Sequence, residues 1–177
     1  MRMDSSIVMR LARAALPALV VVLVSARQAA AQAAGSRQPP AAQSDSAFRA
    51  LQARGQTVMG VDQYTSAHRF EMLPDGGRIV LERLENDSLG TATIRAHMRA
   101  VAAAFEKGDF SMSQQVHAME VPGTRTLAAR RAHIAYSVEE LARGAAVRVK
   151  TTDPEALAAL KAFFDFQNAD HRTGHHR

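Results

Sequence analysis

The chain of 177 residues carries 22 Lys+Arg against 17 Asp+Glu, contains no Cys, and is 47% apolar. Without Cys, thiol catalysis, iron–sulfur clusters and Cys-ligated zinc are excluded, so a metal ligand must be His, Met, carboxylate or backbone oxygen. Most of the formal +5 sits at the N-terminus. Residues 1–31 hold Arg2, Arg10, Arg13 and Arg27 against Asp4, leaving 18 basic against 16 acidic, too even a balance for a nucleic-acid partner.

Arg2, Arg10 and Arg13 precede an apolar run over 14–24 and the small residues Ala29-Ala30-Ala31, the three parts of a signal peptide spanning 1–31. The run is shorter than the roughly 20 residues that cross a bilayer, and Pro17 interrupts it. The mature chain is therefore expected to start near Gln32, to lack a transmembrane segment, and to reside in the periplasm or extracellular space. Residues 32–57, with Pro39-Pro40 and little to bury, read as a disordered tether containing a short helix at 46–54, stopped by Gly55. The rest, 58–177, reads as one domain.

Within that domain, Tyr64, Ser66, His68, Phe70 and Met72 share one parity, the alternation of a half-buried strand. Leu73-Pro74-Asp75-Gly76-Gly77 supplies turn chemistry, and 78–84 forms a return strand with Ile79 and Leu81 inward. Asp87 or Ser88 caps a helix to about Lys107 whose apolar stripe is Ile94, Met98, Val101 and Phe105. No period is visible over 109–125, which reads as a connector. A strand is expected at 130–138 with Ala132, Ile134, Tyr136 and Val138 on one face, then a turn at 141–144 and a partner strand at 146–151. Asp153-Pro154-Glu155 opens a last helix carrying Leu157, Leu160, Phe164 and Gln167 toward His171.

Residues 73–81 align without gaps to 141–149, matching Leu73 with Leu141, Gly76 with Gly144 and the two inward strand positions. A capped helix follows each hairpin. The order suggests a duplicated ββα unit, 58–110 and 127–172. The fold class expected is α+β: a four-stranded, largely antiparallel sheet with two helices on one face.

Histidines are the residues with chemistry to offer. His68 lies at an inward strand position, while His97 and His171 border the apolar stripes of the two long helices, so all three point toward the same sheet–helix layer. Neutral imidazole is a ligand for zinc and copper, and a chain without Cys must use it. The expected metal ligands are His68, His97, His171 and His117, with Met119 or Asp170 as further donors; copper and zinc are the candidate ions. For a small anionic ligand, Arg95 joins His68, His97 and His171. Met72, Met98, Met112 and Met119 are possible soft ligands for Cu(I), although Met72 and Met98 fit core positions. No HExxH spacing is present.

Three functional classes follow. The first is a binding protein for a metal or small ligand. The second is an enzyme with a His–carboxylate pair in the sheet–helix cleft, its catalytic residues unassigned. The third is a structural or interaction module. Neither oligomeric state nor partner is legible, and the His-rich tail from Asp170 to His176 reads as a frayed, solvated terminus or a weak metal-capture site.

Gly123-Thr124-Arg125-Thr126 loosely resembles the phosphate loop of the aspartate and ornithine carbamoyltransferases, but those enzymes need two α/β domains of roughly 150 residues each. A wider resemblance rests on Val61-Asp62-Gln63-Tyr64-Thr65-Ser66-Ala67-His68, Gly76-Gly77-Arg78-Ile79, Ile94-Arg95-Ala96-His97-Met98, Gly108-Asp109-Phe110 and Phe166-Gln167-Asn168-Ala169-Asp170-His171. In these the chain resembles a family of small exported bacterial proteins without an established activity. The resemblance covers about 58–176 and implies a recurring fold and no mechanism.

Overall fold

The computed structural model describes residues 45–173 apart from Val61; the expected signal peptide, the tether up to residue 44 and the His175-His176 tail lie outside the described residues. In chain order the elements are α1 (Asp45–Met59), β1 (Ser66–Leu73), β2 (Gly76–Arg83), α2 (Ser88–Glu106), α3 (Ser111–His117), α4 (Thr124–Ala129), β3 (Ala135–Leu141), β4 (Gly144–Lys150) and α5 (Pro154–Asp170). The strands form one antiparallel sheet in the order β1-β2-β4-β3, so the fold class is α+β. Among the described residues no helix is long and apolar enough to cross a membrane.

Both hairpins turn on two residues placed between a Leu and a Gly. Leu73 pairs with Gly76 across Pro74-Asp75, and Leu141 pairs with Gly144 across Ala142-Arg143. Gly76 has φ 136°, and a Cβ there would stand 2.1 Å from the carbonyl oxygen of Val149, so no larger residue fits. At the centre β2 and β4 pair with Ile79 opposite Val147, two residues with the same separation in sequence as Leu73 and Leu141.

The two long helices start where their caps dictate. Asp87 accepts a hydrogen bond from the Gly90 amide at 2.9 Å, and Asp153 from the Ala156 amide at 2.8 Å, each satisfying one of the free N–H groups of a first turn. The predicted stripe of α2 is buried in full, and α5 contributes Leu160, Phe163 and Phe164, none more than 2% exposed. Burying one such side chain contributes about 1.5–3 kcal/mol. These residues join Ile79, Leu81, Val147 and Val149 from the sheet in one core.

The opposite sheet face is charged. Val80 and Ala146 are fully buried there, in a rung flanked by Arg69 and Glu139. Arg69 pairs with Glu71 and Glu82 and Arg78 with Glu139, while the buried Arg148 pairs with Asp75 and donates to the Gly77 carbonyl, so charged side chains and their stems cover the apolar rung.

Three expectations are revised. The short helix at 46–54 is α1, which runs through Gly55 to Met59 and buries Leu51, Gly55 and Met59; these share one face at i, i+4 and i+8. The folded part therefore begins ahead of residue 58. The connector over 109–125 holds α3 and the start of α4. The strand expected from 130 starts later, because Arg131–His133 is a 3₁₀ turn with Ala132 exposed.

Candidate functional site

Strand alternation turns His68 and Phe70 of β1 toward the helices, and the C-terminal half of α5 with its cap lies over them: the Phe70 ring centroid is 5.7 Å from that of Phe164 and 6.1 Å from that of His171. His171 is the residue capping the C-terminal end of α5, its amide bonded to the Gln167 carbonyl at 2.9 Å. Its ring lies 5.1 Å from His68 and 5.1 Å from His117, the last residue of α3. The chain turns away at once after His117, through Ala118 in the left-handed region at φ 55°.

His117 is buried and held on both sides. Its Nδ1 is hydrogen-bonded to the Asp170 carboxylate, and its Nε2 lies 2.9 Å from the side-chain amide group of Gln167. Gln167 and Asp170 are three residues apart on one face of α5, the spacing that lets two side chains bracket one ring. Phe166 sets its edge against the ring at 5.0 Å. Both nitrogens of His117 are thus engaged, and the residue acts as a fixed polar post.

A cavity of about 60 Å³ lies among these rings, lined by His68, His97, His117 and His171. About 10–15 Å³ holds one water, so the space suits a very small guest. Its apolar wall includes Val58, Ile79, Val101, Phe105 and Phe163. Met59, Met98 and Met112 reach it from three different helices.

This setting opposes charge on the imidazoles of His68, His97 and His171. Burial, and then the neighbouring His97 and His117, push the His68 pKa down to about 3. Burial and the same kind of repulsion from His68 and His117 hold His171 well below the usual imidazole range, and burial alone lowers His97. An uncharged imidazole carries one free lone pair. In His171 the Nδ1 atom is buried and has no hydrogen-bond partner, which is costly unless a guest meets it.

The structure brings His68, His97 and His171 to one cavity, and His117, named from sequence as a further ligand, lines it as well. Arg95 does not join them. Its guanidinium reaches the Gly144 and Leu141 carbonyls at 3.2 and 2.7 Å and pairs with Glu140, fastening α2 to the β3–β4 turn. Met119 is 51% exposed, and Met72 is exposed as well, so neither lines the cavity. Asp170 reaches the site through its bond to His117. Among the described residues no three His, Asp or Glu side chains are grouped to hold a metal ion. Arg125, in the loop resembling a phosphate site, pairs with Glu120 on the surface, while Thr124 bonds the Val121 carbonyl.

Met59 is not among the sequence-derived donors, whereas Met112 is one of the possible soft ligands for Cu(I) named from sequence. Their recruitment depends on α1 and α3, whose docking is not written in a local period. Comparison with protein-family models, with curated proteins and with solved structures finds no match to this chain.

Proposed function

We propose that the protein binds a transition-metal ion, copper or zinc, at the polar end of this cavity, with His68 and His171 as its imidazole ligands. The observation that carries the reading is the buried, unpartnered Nδ1 of His171 beside the His68 ring. A metal–nitrogen bond of about 2.0–2.1 Å plus the ring radius makes an arm of roughly 3.2 Å, so two imidazoles at a tetrahedral angle have centroids about 5 Å apart. The spacing of His68 and His171 is 5.1 Å. His117 is occupied by Asp170 and Gln167 and is not offered as a ligand.

Uncharged rings favour a cation over the small anion considered from sequence, and Arg95 is committed elsewhere. Export after removal of residues 1–31, a duplicated ββα origin and membership in the exported family that the motifs resemble belong to the same proposal. The matching hairpin turns and the Ile79–Val147 pairing support the duplication.

Dialysis of the purified protein against Zn(II) and against Cu(II), with metal counted per chain, tests the reading. One equivalent of at least one ion is expected, with loss of uptake in a His68→Ala/His171→Ala double variant and retention in His133→Ala, an exposed histidine outside the cavity. No uptake by the wild type, or equal uptake by the double variant, overturns it. The buried His117–Asp170 pair favours a second reading, an enzyme using a His–carboxylate pair. Under that reading Asp170→Asn abolishes a turnover that the metal-site variants leave intact.

A further inference from the structure

We infer that the ion is copper in its +1 state and that methionine thioethers, foremost Met98 and Met112, complete its coordination. The inference rests on the metal-binding reading above and names the ion. Three methionines line the cavity that holds the four histidines, delivered separately by α1, α2 and α3. Methionine is a common filler of irregular space, but here the filler lines the same cavity as His171, whose Nδ1 lacks a partner. A thioether is a soft, uncharged donor, the kind that selects Cu(I) among first-row ions.

Charge points the same way. The carboxylate at this end of the cavity, Asp170, is already spent on His117. The remaining wall holds no carboxylate: it is made of imidazoles, thioethers, Ser113, Gln167 and hydrocarbon. The cost of desolvating an ion rises with the square of its charge, so a divalent ion faces about four times the penalty of a monovalent one. Zinc also requires four donors and profits from anionic ones. Among the described residues no three His, Asp or Glu side chains are grouped, whereas an ion content with two imidazoles and one or two sulfurs fits what is present.

The test uses the full chain under anaerobic conditions. Cu(I) is supplied as its bicinchoninate complex, whose colour reports transfer to protein, and Zn(II) is measured in parallel with a chromogenic chelator. The wild type is expected to take one Cu(I) in preference to Zn(II). Met98→Leu/Met112→Leu, which conserves side-chain volume, is expected to weaken Cu(I) by about tenfold or more while leaving any Zn(II) binding unchanged. X-ray absorption of the wild-type Cu(I) protein is expected to show sulfur scatterers, a readout that does not depend on the variant folding. If Cu(I) binds with nitrogen scatterers alone and equal affinity in the Leu variant, the thioether assignment is overturned and the metal-binding reading stands. If Zn(II) or Cu(II) binds and Cu(I) does not, the oxidation state is wrong and the site survives. If none of these ions binds, the metal-binding reading itself falls.

Discussion

The two halves of the sheet place different side chains at corresponding points of one ladder. His68 of β1 pairs with Leu81, and Tyr136 of β3 pairs with Val149; the members of each half are separated in sequence by the same interval as Leu73 and Leu141. Around Tyr136 the space is filled. Phe105 meets it edge-on at 5.9 Å, stacks on Phe110 at 4.3 Å, and Phe163 sets its edge against both phenylalanines at 6.0 Å. Burial alone raises the Tyr136 hydroxyl pKa, a group with no charge to lose at neutral pH. Around His68 the equivalent space is a cavity rimmed by titratable rings whose ionisation burial opposes. One backbone pattern therefore supports both a closed aromatic cluster and an open polar one, and side-chain choice at a few inward positions decides which.

The largest effect expected from breaking this contrast is in the filled half. Phe105→Ala should destabilise the protein by about 3–5 kcal/mol in urea unfolding, as for other fully buried aromatics; a loss below about 1 kcal/mol would mean the cluster is not continuous with the core.

Gly77→Ala comes next. Gly77 corresponds to Ala145 of the second hairpin, yet an added Cβ would lie 2.4 Å from the Phe164 ring and 3.1 Å from Leu160. Both neighbours are buried, so overpacking should cost about 1–3 kcal/mol. A neutral result would show that Phe164 can swing aside.

His68→Tyr would give the open half the residue of the closed one. Stability is expected to stay within about 1 kcal/mol of wild type, while metal uptake disappears. Retained uptake would remove His68 from the site.

The smallest effect concerns acid. Asp153 caps α5 and is paired with Arg130, and the Arg130 bond, followed by the Ala156 amide, holds its carboxyl below the usual carboxylate range. A depressed carboxyl stabilises the fold above its unfolded pKa and loses that contribution as pH falls through the folded one. The stability gap between wild type and Asp153→Asn should therefore narrow on acidification below about pH 4. A gap that widens there would refute the assignment.

Local chemistry explains which parts were readable from sequence. Pro74-Asp75-Gly76, the Asp87 and Asp153 caps and the stripe from Ile94 to Phe105 act through neighbours a few residues away, and each forms where expected. The helices α3 and α4 are seven and six residues long, too short for a period to register, and they exist because Phe110, Val116 and Leu127 dock on the core. The strand before Val138 was drawn too early because Ile134 is buried from a turn and mimics strand parity. Convergence of His68, His97 and His171 was legible from parity and stripe borders. The bond from His117 to Asp170 spans 53 positions, and nothing local announces it. Arg95 lies outside the site because a side chain flanking a stripe can reach either the layer or a neighbouring turn, and two carbonyls at the β3–β4 turn accept from it.

The opening helix has one more role. Arg54 Nε donates to the carbonyl of Val116 at 2.7 Å, one residue before His117, and Val58 and Met59 supply part of the cavity wall. The earliest described segment is thus a stopper as much as a brace: a chain trimmed back to Gly60 would retain all four strands and all four imidazoles, yet would leave them open to solvent on one flank.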